Sequence, residues 1–185
     1  MSADGIAPDK TQAPEAESAT ARASALRGPL THLGALAALA VFLADQGSKL
    51  WLLFAYDLGA RGVVEITPFL DLVLVWNSGI SYGLFAQESA LGRWFLVAVK
   101  LAASVLFWVW LARARSLVAA LSLGLLIGGA LGNALDRALY GAVADFVLLH
   151  AWGYNWYVFN IADVAIVVGV AGLLYDALRS GHRAA

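Results

Sequence analysis

The sequence predicts an all-α integral membrane protein with four transmembrane helices, and three observations carry that expectation. Of 185 residues, 61% are hydrophobic and only 14% charged, whereas a soluble domain carries about 25% charged residues. Four apolar stretches, at 33–54, 91–112, 117–137 and 161–179, each come close to the roughly 20 residues that cross a bilayer. The lysines and arginines that flank them fall mainly on one side, as they do in membrane proteins whose cytoplasmic loops are basic.

Residues 1–28 are rich in Ala, Ser, Pro and acidic side chains without apolar periodicity, so they are expected to be a disordered cytoplasmic extension ahead of a membrane domain at 29–181. The first stretch has a second reading. Arg22 and Arg27 followed by LGALAALAVFLA resemble a signal peptide ending at Ala44. Phe42 stands where cleavage needs a small residue, and the apolar run resumes at Leu50–Ala55, so a retained helix is expected.

With the N-terminus in the cytoplasm, Lys10, Arg22, Arg27, Arg113, Arg115, Arg179 and Arg183 lie inside, and Arg61, Arg93 and Arg137 lie outside or at the outer boundary. Both termini are then cytoplasmic. The inner link near Arg113–Ser116 is short, whereas the outer links, about 55–90 and 138–160, are long and are the expected carriers of function. Within the first, VVEITPFLDLVLVWNSG reads as one or two short strands on the membrane surface. Trp94, Trp152, Tyr154, Trp156 and Tyr157 are placed to form an outer aromatic belt.

Composition also narrows the function classes. The net charge is −1, which gives no basic footprint for nucleic acid. There is no cysteine, which removes disulfides, thiolate zinc sites and cysteine nucleophiles. His32, His150 and His182 do not pair at metal-ligand spacing, and neither a metal nor another cofactor is expected.

Charged groups within a span cost at least about 2.5–3.5 kcal/mol each near mid-bilayer. Asp45 and Lys49 stand four residues apart on the first span, on one helical face, where they can pair. That alone would explain them as a neutralised ion pair. In the third span, Gly124, Gly128 and Gly132 form a small-residue stripe that lets a second helix approach. Asn133, Asp136 and Arg137 follow on one face, open to a bland reading in which Arg137 snorkels to the outer surface. Lys100 lies within the second span and is open to two readings, snorkelling inward or pairing within the bundle.

Asp145, in GAVADF, lies just beyond the third span, and Asp163, in FNIADVAI, opens the fourth. Asn160 is placed as an N-cap with Asp163 at the third helical position, so simple capping would account for Asp163 alone. Together, the two carboxylates flank one short outer loop and can converge. Carboxylates held close cannot both ionise cheaply and share a proton, so one can activate water while the other donates a proton.

At this point the chain resembles a family. The blocks DQGSK (45–49), WNSGISYGLF (76–85), GGALGNALDR (128–137), GAVADF (141–146) and FNIADVAI (159–166) are similar, in order, to those of bacterial lipoprotein signal peptidases (signal peptidase II). The resemblance covers about residues 33–180. It implies an intramembrane aspartic endopeptidase of the bacterial inner membrane, multi-pass, with its site at the periplasmic face. Such an enzyme removes signal peptides from diacylglyceryl-modified prolipoproteins just before the lipidated cysteine. It further implies Asp145 and Asp163 as catalytic residues. Asp45, Lys49, Asn77, Gly129, Asn133, Asp136, Arg137 and Asn160 are implied to line and support the site, with Asn133 and Arg137 donating to substrate backbone and Gly129 leaving room for it. A small β-cradle between Val63 and Val75 and a periplasmic surface helix in the second outer region are also implied. So are membrane lipids and cyclic lipopeptide inhibitors of the globomycin type as partners, and a monomeric state.

The chain departs from the family pattern at Tyr157, where proline is common, and at Ser81 and Tyr82 in the second block. Two other classes of function compete. Intramembrane charges also mark the pathways of small transporters, but most of these crowd towards the outer ends of the spans. An inactive relative that only binds lipopeptides would not need both aspartates.

Overall fold

A computed structural model of the chain describes residues 26–79 and 90–181. Expectations for residues 1–25, for Ser81 and Tyr82, and for His182 and Arg183 lie outside the described residues. Four of the described helices are long and apolar enough to cross a membrane.

The first, α1 (Thr31–Leu50), starts where the Thr31 hydroxyl accepts the N–H of Gly28 at 2.8 Å. It continues into a π-helical turn over Trp51–Ala55. Asp57 then adopts a left-handed conformation (φ 53°) and turns the chain into a single helical turn, α2 (Leu58–Arg61). Strands β1 (Val64–Thr67) and β2 (Leu70–Asn77) follow, then α3 (Ala90–Leu111). Ser116 caps α4 (Leu117–Tyr140), which ends at Gly141 in the left-handed conformation that glycine favours at a helix C-terminus (φ 82°). The chain returns as β3 (Val143–Ala151) and β4 (Tyr154–Phe159) before α5 (Ile161–Gly181).

Helix α4 is the axis of the bundle. In its most apolar stretch 72% of residues are buried, against 17–22% in the other three long helices. Lipid gives helices no hydrophobic reason to associate, so close backbone approach through small residues takes over. The glycine stripe serves this purpose. A methyl group added at Gly124 or Gly128 would collide with the carbonyls of Gly34 or Ala38 on α1. Across α4, Gly169 on α5 packs against Ser122 and Leu126. At the end of the bundle remote from the sheet, the Ser116 hydroxyl donates to Asp176 of α5 at 2.5 Å.

At the opposite end, the four strands form one antiparallel sheet in the order β1-β2-β3-β4. Two strands come from the first outer link, as expected, but two more come from the second, so the cradle is larger than the sequence suggested. The surface helix expected in the second outer region is absent there. Ala151 pairs with Tyr154 across Trp152 and Gly153, both with positive φ (51° and 81°). This is the two-residue turn whose twist suits a hairpin, and the aromatic, β-branched run YNWYVF suits a strand. The short helix α2 lies in the first link instead.

Leu52, Leu58 and Phe146 form a small core that seats the sheet on the bundle. At the sheet's outer reach, His150 Nε2 lies 3.1 Å from Asp71 Oδ2. Trp94, Trp152, Tyr154, Trp156 and Tyr157 are all exposed, most fully Trp152 at 95%.

Candidate active site

The two aspartates arrive from different kinds of element. Asp145 sits in β3 opposite Val75 of β2. An extra residue in β2 between Leu72 and Val75 shifts the register there, and such bulges re-aim side chains beside functional sites. Asn77, two residues beyond Val75 on the same face, is thus a diagonal neighbour of Asp145. Its amide donates to Asp145 Oδ2 at 3.0 Å. Asp163 lies in the first turn of α5, where Asn160 and Asp163 form a reciprocal cap. The Asn160 side-chain oxygen accepts the Asp163 N–H at 3.0 Å, and the Asp163 carboxylate accepts the Asn160 N–H at 3.4 Å.

Asn160, fully buried, joins the pair. Its amide donates to Asp145 Oδ1 at 2.6 Å and to Asn133 Oδ1 at 3.2 Å. The Asn133 amide in turn donates to Asp163 Oδ1 at 2.8 Å. One continuous chain of hydrogen bonds therefore runs from Asp145 through Asn160 and Asn133 to Asp163. Burial pushes the Asp145 carboxyl above the usual aspartate range, the Asn77 hydrogen bond opposes this, and the nearby negative charge of Asp163 adds to it.

Beneath lies a second layer of charge. Lys49 Nζ is 2.8 Å from both Asp45 Oδ2 and Asp136 Oδ2 and 3.4 Å from Asn133 Oδ1. All three charged groups are buried. The pairing of Asp45 with Lys49 follows the four-residue spacing; the engagement of Asp136 does not. Each carboxylate also accepts the backbone N–H just before one candidate catalytic residue. Asp45 Oδ1 takes that of Ala162 at 3.0 Å, and Asp136 Oδ2 takes that of Ala144 at 3.2 Å. Lys49 thus neutralises two carboxylates that each hold one aspartate-bearing segment in place.

Arg137 does not snorkel outward: it is 7% exposed, and its guanidinium donates to the Asn133 carbonyl at 3.4 Å. Its buried Nε has no hydrogen-bond partner among the described residues. The Asn133 side-chain oxygen accepts from Asn160 and Lys49 and its amide donates to Asp163, a positioning set that engages one of its two amide hydrogens among the described residues. Gly129 makes room for α5, since an added Cβ would lie 2.6 Å from the Ala162 carbonyl. At Gly132 it would lie 2.5 Å from the Asp45 carboxylate.

Sequence reasoning missed Gln46. Its amide donates to Asp45, Asp136 and the Gly132 carbonyl at 3.1, 2.9 and 3.2 Å, which cross-links α1 and α4. Its position inside the DQGSK block was the available signal.

Two recesses open at this layer and share Tyr157. One, of about 350 Å³, runs along α5 past Phe159, Val164, Val167 and Val168 to Asp163. The other, of about 360 Å³, lies on the sheet between Trp76, Asn77, Trp156 and Asp145. One carboxylate thus borders an apolar groove on the outside of the bundle, and the other borders a more polar recess above it.

The family described as Signal peptidase (SPase) II matches residues 37–179. The lipoprotein signal peptidase of Nitrobacter hamburgensis is 58% identical over 147 residues, covering 77% of this chain and 90% of that protein. The lipoprotein signal peptidase of Methylorubrum extorquens is 58% identical over 151 residues, covering 82% and 88%. Two solved structures share the fold. One, described as a bacterial membrane enzyme structure at 2.3 Å resolution, has a TM-score of 0.68 and 27% identity, covering 81% of this chain and 90% of that one. The other, a bacterial membrane enzyme structure at 1.9 Å resolution, has a TM-score of 0.66 and 29% identity, covering 80% and 93%. The chain belongs to the signal peptidase II family of bacterial multi-pass membrane peptidases.

Proposed function

We propose that the chain removes signal peptides from diacylglyceryl-modified prolipoproteins, cutting just before the lipidated cysteine, with Asp145 and Asp163 activating water. The observation that carries this reading is the hydrogen-bonded path between the two carboxylates through Asn160 and Asn133, at the junction of an apolar and a more polar recess.

In this mechanism the buried Asp145 holds the shared proton at rest and Asp163, at a helix N-terminus that favours negative charge, is ionised. A water between them gives a proton to Asp163, and its oxygen attacks the scissile carbonyl carbon. Asp145 protonates the carbonyl oxygen as the tetrahedral intermediate forms. Collapse returns that proton to Asp145, while Asp163 passes its proton to the departing cysteine nitrogen. Arg137, with its unpartnered Nε, donates to a substrate backbone carbonyl.

The bundle sits in the inner membrane with both termini in the cytoplasm and the sheet on the periplasmic face, in accord with the distribution of Lys and Arg. Substrate enters sideways from lipid along the groove of Val164, Val167 and Val168, with the mature polar chain on the sheet above. Cyclic lipopeptides of the globomycin type would compete for the same groove, and the enzyme acts as a monomer.

Mass spectrometry of the products tests this reading. The protein in lipid should release from a diacylglyceryl prolipoprotein a fragment that begins at the lipidated cysteine, at an undiminished rate in chelator. Cleavage elsewhere, or equal cleavage of the unlipidated precursor, would contradict it.

A further inference from the structure

Lys100 stands outside the charge network of the site. Three residues before it Val97 is buried, and four residues after it Ser104 is buried, so Lys100 belongs to the stripe of α3 that faces α4. Helix α3 runs antiparallel to α4: Arg93 donates to the Ala138 carbonyl near one end, and Leu111 joins Ala120 in the core at the other. Lys100 lies between these contacts, roughly 10 Å along the helix from Arg93 at 1.5 Å per residue, within the span.

Its backbone carbonyl accepts the Ser104 hydroxyl at 2.8 Å. Its ammonium has no ion pair or hydrogen bond among the described residues, since the lysine pairs there belong to Lys49. The carboxylates of the site are engaged elsewhere: Asp163 is held by Asn133 and Asn160, and Asp45 and Asp136 by Lys49. Pairing within the bundle therefore does not explain an ammonium group in this place, and an unpaired intramembrane charge calls for a functional partner.

An ammonium offers three donors and no acceptor, so that partner is an acceptor. Seven residues inward from the Arg93–Ala138 contact, Lys100 lies near the depth of Asn133, the residue of α4 that bonds Asp163 of α5, and α3 and α5 both pack on α4 with little contact between them. We infer that Lys100 is a specificity-determining residue that donates to a carbonyl oxygen of the lipidated substrate within the membrane. This rests on the substrate class proposed above. The carbonyl belongs either to an acyl ester of the glyceryl group or to a peptide bond of the signal sequence.

Steady-state kinetics in lipid, on matched prolipopeptides with ester-linked or ether-linked chains, would test this. Lys100→Met should raise KM on the ester substrate by about tenfold or more, the loss of a hydrogen bond to a charged group, with kcat and its pH profile unchanged. The melting temperature should hold or rise, and Lys100→Arg should restore KM. If the ester is the partner, wild type on the ether substrate has the raised KM and Lys100→Met adds nothing. If a peptide carbonyl is the partner, Lys100→Met raises KM on both substrates. An unchanged KM, a shifted pH profile at constant KM, or a lowered melting temperature with loss of both parameters would each overturn the inference. Wild-type cleavage with an inactive Asp163→Asn control would then leave the proposed function standing. Failure of wild type to cleave the ester substrate would overturn both.

Discussion

The side-chain amide of Asn160 donates to Asp145 at 2.6 Å across 15 residues of sequence. The same residue caps the helix that carries Asp163. One buried asparagine therefore sets both the orientation of the strand carboxylate and the start of the helix that presents the other. Two candidate catalytic groups on unlike elements, a sheet and a helix, would otherwise move independently.

Asn160→Ala should accordingly lower kcat by about a hundredfold, the scale expected when reacting groups shift by an ångström, with both aspartates intact. It should also cost about 1 kcal/mol of stability as a lost helix cap. Single-turnover cleavage and thermal unfolding in detergent would measure the two effects separately.

Lys49 is sandwiched between Asp45 and Asp136 at 2.8 Å from each. Removing one member of a buried ion cluster leaves uncompensated charge and costs about 3–5 kcal/mol. Lys49→Met should therefore unfold at markedly lower temperature than wild type. Adding Asp45→Asn and Asp136→Asn should recover much of that loss without restoring activity, because the N–H groups of Ala144 and Ala162 lose their carboxylate anchors. Melting curves of the single and triple variants decide this.

Several of these relationships were visible in the sequence. Asp45 and Lys49 are one helical turn apart, and Asn160 and Asp163 have capping spacing, so local geometry alone announced both contacts. The contact of Asp136 with Lys49, and that of Gln46 with both carboxylates, depend on how α1 crosses α4. Periodicity along either helix does not encode that. The β3–β4 hairpin was missed although Trp152–Gly153 supplies its turn, because aromatic residues beside a span read equally well as an interfacial belt. The small-residue stripe was legible as a seam, but which helix it meets was not. Gly129 faces α5 while Gly124 and Gly128 face α1.

That seam leads to a paired test. Gly128→Ala places a methyl group against the Ala38 carbonyl and should cost about 1–3 kcal/mol, as overpacking does. Gly47, where an added Cβ meets nothing within 4 Å, should tolerate alanine and gain up to about 1 kcal/mol from helix propensity. Thermal unfolding of the two variants side by side would show whether close approach, rather than glycine itself, is what α4 requires.

The pH profile reports on Asp145. Burial raises its carboxyl above the usual range, and the Asn77 hydrogen bond, which favours the ionised form, holds it down. The proposed mechanism needs Asp145 protonated at the start, so the alkaline limb of kcat/KM follows its loss of a proton. Asn77→Ala removes a bond to the charged form, raises the pKa further, and should move that limb to higher pH. A limb that stays in place, or moves to lower pH, would assign it to another group.

The most direct test is cleavage of a diacylglyceryl-modified prolipoprotein by wild type, Asp145→Asn and Asp163→Asn in lipid, each variant first shown to be folded by its melting curve. The account predicts that wild type shortens the substrate at the lipidated cysteine. Both variants should lose activity by several orders of magnitude, because the dyad acts as one unit. Retention of near-wild-type cleavage by either folded variant would contradict the central claim that Asp145 and Asp163 together activate the attacking water.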